Sequence, residues 1–89
     1  MQLKHDQEAD AVYITLREAV PFAHGYQLDT ERVIDFGPDG KPRGVELLNV
    51  SYGVDVRGLP DEGAIIALLQ QHGIRVLSPS EVARQPHGR

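Results

Sequence analysis

Three acidic residues near the N-terminus are the first side chains whose types and spacing could do chemistry. The stretch HDQEADAVYITL (5–16) places Asp6, Glu8 and Asp10 directly before an alternation of apolar residues. Hard divalent cations bind several carboxylate oxygens, so these acids could hold a metal ion. The spacing lacks the central glycine and the later glutamate of a calcium-binding loop. Aspartate also bonds backbone N–H groups two or three residues on. We therefore expect Asp6 and Asp10 to shape a turn before a strand.

A second carboxylate pair, Asp35 and Glu46, falls on facing strands of a predicted hairpin. Two carboxylates on one sheet face can share a proton and act as acid and base. The same pair could instead be solvated, and matched across strands to Arg43 or Arg32. Glu46 alternates with apolar neighbours and should face away from the core, which favours a surface or interface position for the pair.

The histidines and glycines form no recognisable site. His5, His24, His72 and His87 include no pair at the i, i+4 spacing of a zinc-binding helix, and none has a triad-like context. The glycines in GPDGKP (37–42) lack the strand-to-helix context of a phosphate cradle. Without cysteine, thiolate chemistry is excluded. The sequence predicts no catalytic residue and no cofactor.

Composition bounds the class of protein. Thirteen acidic and nine basic residues give a net charge of −4, which disfavours binding to nucleic acid. A cysteine-free chain with no apolar N-terminal run and no membrane-length apolar stretch is expected in a reducing cytoplasm. A chain of 89 residues without disulfides has a thin core, so a homodimer or higher oligomer is expected.

Extended segments dominate the first half of the chain. Residues 2–16 are a candidate hairpin, since 11–16 alternate apolar and polar positions. A further strand is predicted over 26–29. A second hairpin pairs 32–36 with 43–50, because the intervening turn contains two glycines, two prolines and an aspartate.

A helix is predicted over 60–72. Ile65, Leu68 and Leu69 follow the i, i+3, i+4 spacing of one helix face, and Gly73 is suited to the C-terminal cap. The stripe is expected to be buried with the inward residues of the strands: Val12, Ile14, Leu16, Ile34, Phe36, Val45 and Leu47.

The predicted fold is α+β: a small antiparallel β-meander packed against one C-terminal helix. It forms a single domain over 1–83, followed by a flexible tail over 84–89. Residues 74–77 are either a short strand or an extended exit from the helix. Ser78 and Glu81 have the spacing of a capping box that opens a last helical turn.

Two motifs resemble those of a known bacterial family. The pattern DQEADAVYI is followed about thirty residues later by a glycine-marked turn and RGVELL. This resembles the domain-of-unknown-function 2283 family over about residues 1–52. Val45 stands where isoleucine is more usual, and Pro42 enters the step from turn to strand. The matching residues are Asp6, Glu8, Ala9, Asp10, Ala11, Tyr13, Ile14, Asp35, Asp39, Gly40, Gly44, Val45, Glu46 and Leu47.

The resemblance implies a bacterial protein without an established activity. Some family members are encoded beside small toxin-like proteins, which implies a partner-binding role by association. The leading interpretation is a noncatalytic module that self-associates or binds a protein encoded nearby. Four residues are more apolar than an exposed sheet edge needs, and they support this interpretation: Leu48, Val50, Tyr52 and Val54.

Two alternatives stay open from the residues. One is a small metal-assisted hydrolase that uses Asp6, Asp10 and Glu46. The other is a small-ligand binder with a pocket between helix 60–72 and the sheet.

Overall fold

A computed structural model describes residues 1–84, and the chain divides into two compact units. The first unit is Met1–Asn49, and the second begins at Val50. The single domain predicted over 1–83 stays a prediction. From residue 85 onward, the predicted tail and His87 lie outside the described residues.

Within residues 1–84, the first unit contains an antiparallel sheet of five strands. The α+β class and both predicted hairpins are confirmed. The strands are β1 (Gln2–Asp6), β2 (Ala11–Thr15), β3 (His24–Asp29), β4 (Arg32–Phe36) and β5 (Pro42–Leu48), in the spatial order β1-β2-β5-β4-β3.

The strand order differs from that of a simple meander, in which every strand pairs with the next. β2 pairs with β5, and the segment after β2 takes the chain to the far edge, where β3 begins. This order places Val12 opposite Leu47 and Ile14 opposite Val45. Two strands with matching apolar alternation therefore lie side by side, which fixes their register by burial of one face.

The two faces of the sheet differ in character. The first, which we call the apolar face, contains the buried side chains Val12, Ile14, Ile34, Val45 and Leu47. The second, which we call the polar face, contains Ala11, Tyr13, Thr15, Val33, Asp35, Gly44, Glu46 and Leu48.

Two residues expected in the core are less buried than predicted. Leu16 and Phe36 are only half-buried, because they lie at the ends of β2 and β4. Phe36 is stacked on His24 instead, with ring centroids 5.1 Å apart.

The second unit contains a short 3-10 helix (Val50–Tyr52), α1 (Glu62–Gln71) and α2 (Pro79–Ala83). The helix predicted over 60–72 begins at Glu62 because Asp61 has a left-handed backbone, with φ of 53°. It ends at Gln71, and Gly73, two residues on, has a φ of 73°, which suits the predicted cap.

The helical stripe is partly as predicted. Ile65 and Leu69 are fully buried, whereas Leu68 is half-buried. Residues 74–77 form no named strand, although Val76 makes an isolated bridge with Val54. They are therefore an extended exit from the helix.

The capping box before α2 is confirmed. The Ser78 hydroxyl accepts a hydrogen bond from the Glu81 backbone N–H at 3.2 Å, and the Glu81 carboxylate accepts one from the Ser78 N–H at 2.8 Å. These bonds satisfy backbone donors that a helix start leaves unpaired, and they make a five-residue helix possible. No helix within residues 1–84 is long and apolar enough to cross a membrane.

Candidate functional site

Tyr13 lies at the centre of the polar face, and its hydroxyl joins three strands. The Tyr13 hydroxyl donates a hydrogen bond to Asp35 Oδ2 at 2.8 Å and accepts one from Arg43 Nη1 at 2.9 Å. Arg43 Nε also donates to the Val20 carbonyl at 2.6 Å. We call Tyr13, Asp35 and Arg43 the tyrosine cluster. It connects β2, β4 and β5 with the segment that follows β2.

Gly44 makes the tyrosine cluster possible. A Cβ atom on Gly44 would lie 2.0 Å from the Tyr13 hydroxyl oxygen and 2.6 Å from Tyr13 Cζ. The phenol ring therefore lies directly across the Gly44 backbone, where only hydrogen fits. This close approach explains a glycine inside a central strand, where glycine otherwise weakens the sheet.

The electrostatics of the tyrosine cluster keep the phenol protonated. Burial raises the pKa of Tyr13 to about 12, and the hydrogen bond to the Asp35 carboxylate contributes in the same direction. The Arg43 guanidinium opposes this rise in pKa. At neutral pH the hydroxyl is thus a fixed hydrogen-bond donor, poorly suited to act as a base or a nucleophile.

A second polar network holds the turn between β4 and β5. The Arg17 guanidinium contacts both Asp39 carboxylate oxygens, at 2.8 and 3.0 Å, and donates to the carbonyls of Lys41 and Pro42 at 2.7 and 2.8 Å. Asp39 Oδ1 also accepts from the Lys41 N–H at 3.1 Å. The bonds from Arg17 and from the Lys41 N–H hold the pKa of the Asp39 carboxyl well below its usual range.

The turn expected from Asp6 and Asp10 is present before β2. Asp6 Oδ1 accepts a hydrogen bond from the Ala9 N–H at 3.1 Å. The Asp10 N–H bonds to the Gln7 carbonyl at 3.3 Å, and Asp10 has a φ of 53°. Aspartate is one of the few residue types that tolerates this left-handed backbone. Asp10 thus contributes through its backbone conformation.

The structure brings together only some of the candidate metal ligands. Asp6 and Glu46 line the same groove on the sheet, but Asp10 does not. Among residues 1–84, no group of three or more histidine, aspartate or glutamate side chains is close enough to hold a metal ion.

The two carboxylates of the possible acid–base pair are diagonal neighbours and do not lie directly opposite each other. Asp35 and Glu46 do share the polar face, but Asp35 lies opposite Gly44, whereas Glu46 lies opposite Val33. The Asp35 carboxylate is bonded to Tyr13. A shared proton between the two carboxylates therefore has no support.

The groove itself is open and has a volume of about 800 Å³. Lys4 and Glu46 lie directly opposite Tyr13 on its two neighbouring strands. An ammonium and a carboxylate thus flank one phenol ring. The groove is lined by Lys4, His5, Asp6, Gln7, Ala9, Ala11, Val12, Tyr13, Glu46 and Leu48.

The apolar set that supported an interaction surface is mostly not exposed. Val50 and Val54 are buried and Leu48 is half-buried. Only Tyr52 of that set is exposed, at 71%.

Comparison with known proteins identifies the family. The model of the family described as "Protein of unknown function (DUF2283)" matches residues 2–51. The chain belongs to the DUF2283 family. The match covers the five strands, including the tyrosine cluster and its supporting glycine. Neither a curated protein nor a solved structure gives a significant match.

Two arginines are more central in the structure than the sequence indicated. Arg43 was expected only as a cross-strand match for Asp35 or Glu46, and Arg17 was not singled out, because their partners Tyr13 and Asp39 lie 22 or more positions away in sequence. The sequence did contain one indication of the tyrosine cluster. A tyrosine, an aspartate and a glycine occupy motif positions in predicted strands, and Arg43 precedes the glycine. The spacing did not reveal which strands would be neighbours.

Removing the Tyr13 hydroxyl should destabilise the sheet. We expect Tyr13→Phe to lower the free energy of unfolding by about 1.5–3 kcal/mol, because hydrogen bonds to two charged partners are lost. Tyr52→Phe, at an exposed site, is the matched control.

The stabilisation by the Tyr13 hydroxyl should also depend on pH. The folded state raises the pKa of Tyr13 from 10.0 to about 12, so this stabilisation is present below pH 10 and is lost as pH rises towards 12. Urea unfolding measured across this pH range should show a larger loss of unfolding free energy in the wild type than in Tyr13→Phe. An equal pH dependence in both proteins would contradict the account.

Substitution of Asp6 distinguishes a turn-forming role from a metal-binding role. Asp6→Ala should lower the free energy of unfolding by about 0.5–2 kcal/mol, the range for a lost capping oxygen. Glu8→Ala, two positions along the same turn and exposed, should change it little. Melting temperatures should be the same with EDTA, Mg²⁺, Mn²⁺, Ca²⁺ or Zn²⁺. A rise of several degrees with one ion, lost in Asp6→Ala, would support a metal site instead.

Proposed function

We propose that this protein is a noncatalytic bacterial module that self-associates through the outer edge of β3 and acts in the cytoplasm. The supporting observation is the exposure of that strand at the edge of the sheet. β3 is the last strand of the sheet, and five of its six residues are exposed. Two large aromatic side chains accompany it, Phe22 at 58% and Tyr26 at 57% exposure. An edge strand presents a row of backbone donors and acceptors that another strand can pair with.

The charges of the two sheet edges favour β3 over β1. β1 carries Lys4 and Asp6 among its five residues, and charged side chains on an edge discourage pairing. From His24 to Leu28, β3 has no aspartate, glutamate, lysine or arginine; its only such residue is Asp29 at the end. β3 is therefore the edge that is less protected against pairing with another strand.

The polar chemistry of the chain supports a noncatalytic role. Asp6, Asp35 and Asp39 each accept hydrogen bonds that shape the fold. The phenol of the tyrosine cluster is held protonated. Asp6 and Asp35, two of the side chains that first suggested chemistry, therefore hold a turn and neighbouring strands in place.

Small-ligand binding is a second candidate, favoured by the groove on the sheet. Lys4 and Glu46 flank Tyr13, with Ala11 and Leu48 beside them. A small zwitterion with an apolar part would match both charges and the apolar lining. This location differs from the pocket between helix and sheet that the sequence analysis considered.

A charge placed on the β3 edge should prevent self-association. We expect light scattering to show a dimer or higher oligomer of the wild type at micromolar concentration, and a monomer for Tyr26→Lys. Lysine at an edge costs backbone pairing because its ammonium must remain solvated. Tyr52→Lys is the matched control, since Tyr52 is also an exposed tyrosine. It should associate like the wild type.

The opposite results would contradict the proposal. Light scattering that shows a monomeric wild-type protein at every concentration would rule out self-association. An oligomer that survives Tyr26→Lys but is lost in Tyr52→Lys would place the interface elsewhere.

A further inference from the structure

We propose that β3 pairs antiparallel with β3 of a second copy, about a two-fold axis that is perpendicular to the sheet and passes midway between the two Tyr26 residues. The two sheets would then continue as one. This inference rests on the proposed function and specifies its partner, a second copy of this chain, and its register. Association by edge-strand addition draws affinity from main-chain hydrogen bonds and specificity from the side chains on each face.

Symmetry restricts the possible registers. A two-fold axis perpendicular to the sheet keeps each face of one copy continuous with the same face of the other. Residues directly opposite in an antiparallel pair point to the same face. A residue can therefore oppose only itself or one an even number of positions away. One residue of β3 must then oppose its own copy across the axis, and the central candidates are Gly25, Tyr26 and Gln27.

Tyr26 is favoured at the axis by the side chains that it brings together. Its two exposed phenol rings would meet on one face, and aromatic cross-strand pairs stabilise sheets. His24 would oppose Leu28, and Asp29 would oppose Ala23, so no two like charges meet. With Gly25 at the axis, two residues without side chains would face each other, which contributes no side-chain contact.

The irregularity of β3 also centres the pairing on Tyr26. The register of β3 with β4 shifts between Gln27 and Asp29. A bulge of this kind bends the strand and ends regular pairing. The usable edge is thus the run from His24 to Leu28, whose middle residue is Tyr26. With Gln27 at the axis, the pairing would have to extend through the bulge to Asp29.

Phe22 can cover the junction on the other face. A Cβ atom on Gly25 would lie 3.8 Å from Phe22 Cε1 and 3.2 Å from Asp35 Oδ1. The Phe22 ring thus lies beside Gly25, on the polar face, whereas Tyr26 pairs with Ile34 on the apolar face. The β3 edge has one exposed aromatic ring on each side, and in the two-fold arrangement each ring would contact the partner strand.

Single-cysteine variants report the register of the pairing directly, because the wild-type chain contains no cysteine. Full-length variants with one cysteine each would be treated with a short thiol crosslinker that spans opposed Cβ atoms about 5 Å apart. We expect Tyr26→Cys to form covalent dimers several-fold faster than Gln27→Cys, which is the matched neighbour. A mixture of His24→Cys and Leu28→Cys should link to each other faster than either links to itself. Tyr52→Cys measures random collision.

The outcomes separate the register from the proposed function. If light scattering shows dimers but Gln27→Cys links fastest, self-association stands and the Tyr26 register is overturned. Fast linkage of Lys4→Cys instead would move the interface to β1. If the uncrosslinked variants and the wild type are monomeric and every cysteine links only at the Tyr52→Cys rate, the proposed self-association fails together with the register.

Discussion

The Tyr13 hydroxyl lies between the Asp35 carboxylate and the Arg43 guanidinium, and this contact requires one order of the central strands. The hydroxyl can reach both partners only if β2, β5 and β4 are neighbours in that order. It also requires Gly44, since any side chain there would occupy the position of the phenol ring. The buried pairs on the apolar face, such as Ile14 opposite Val45, specify the same register independently. A polar contact and an apolar one thus select a single arrangement of the sheet.

This constraint changes the meaning of the family motifs. Acidic side chains near the start of the chain and around the glycine-marked turn are types that metal sites and acid–base catalysts use. Asp6 instead accepts a backbone N–H, and Asp39 is held by the Arg17 guanidinium. These bonds use carboxylate oxygens that a metal or a substrate would need. These bonds support the proposal that the matched region is a scaffold and that its outer strand, β3, contacts a second copy.

Local patterns predicted the individual elements well. The alternation in 11–16, the turn residues of GPDGKP and the box formed by Ser78 and Glu81 each act over a few positions, so the sequence shows them directly. The start of α1 was predicted two residues early because aspartate tolerates a left-handed backbone but does not require one, so the residue type alone did not indicate the conformation of Asp61.

Strand order and the tyrosine cluster could not be predicted from local patterns. Tyr13 and Arg43 are 30 positions apart, and their contact exists only once β2 lies beside β5. The meander prediction paired consecutive strands, which is the commonest arrangement but not the one that aligns the apolar faces of β2 and β5. The family resemblance did identify Tyr13, Asp35 and Gly44, although it gave no reason for them. The reason is the close approach of a phenol ring to a backbone.

In the proposed assembly, the motif residues hold the sheet while the edge of β3 makes the contact with a second copy. Amide hydrogen exchange, measured by residue across a series of protein concentrations, tests this assembly. We expect amides of β2 and β5 to be strongly protected at every concentration, with a rise no larger than the stability that association adds, whereas the outward-facing amides of β3 should change from unprotected to protected as concentration rises. Exchange from β3 that stays equally fast at all concentrations, or concentration-dependent protection of β1 in its place, would contradict it.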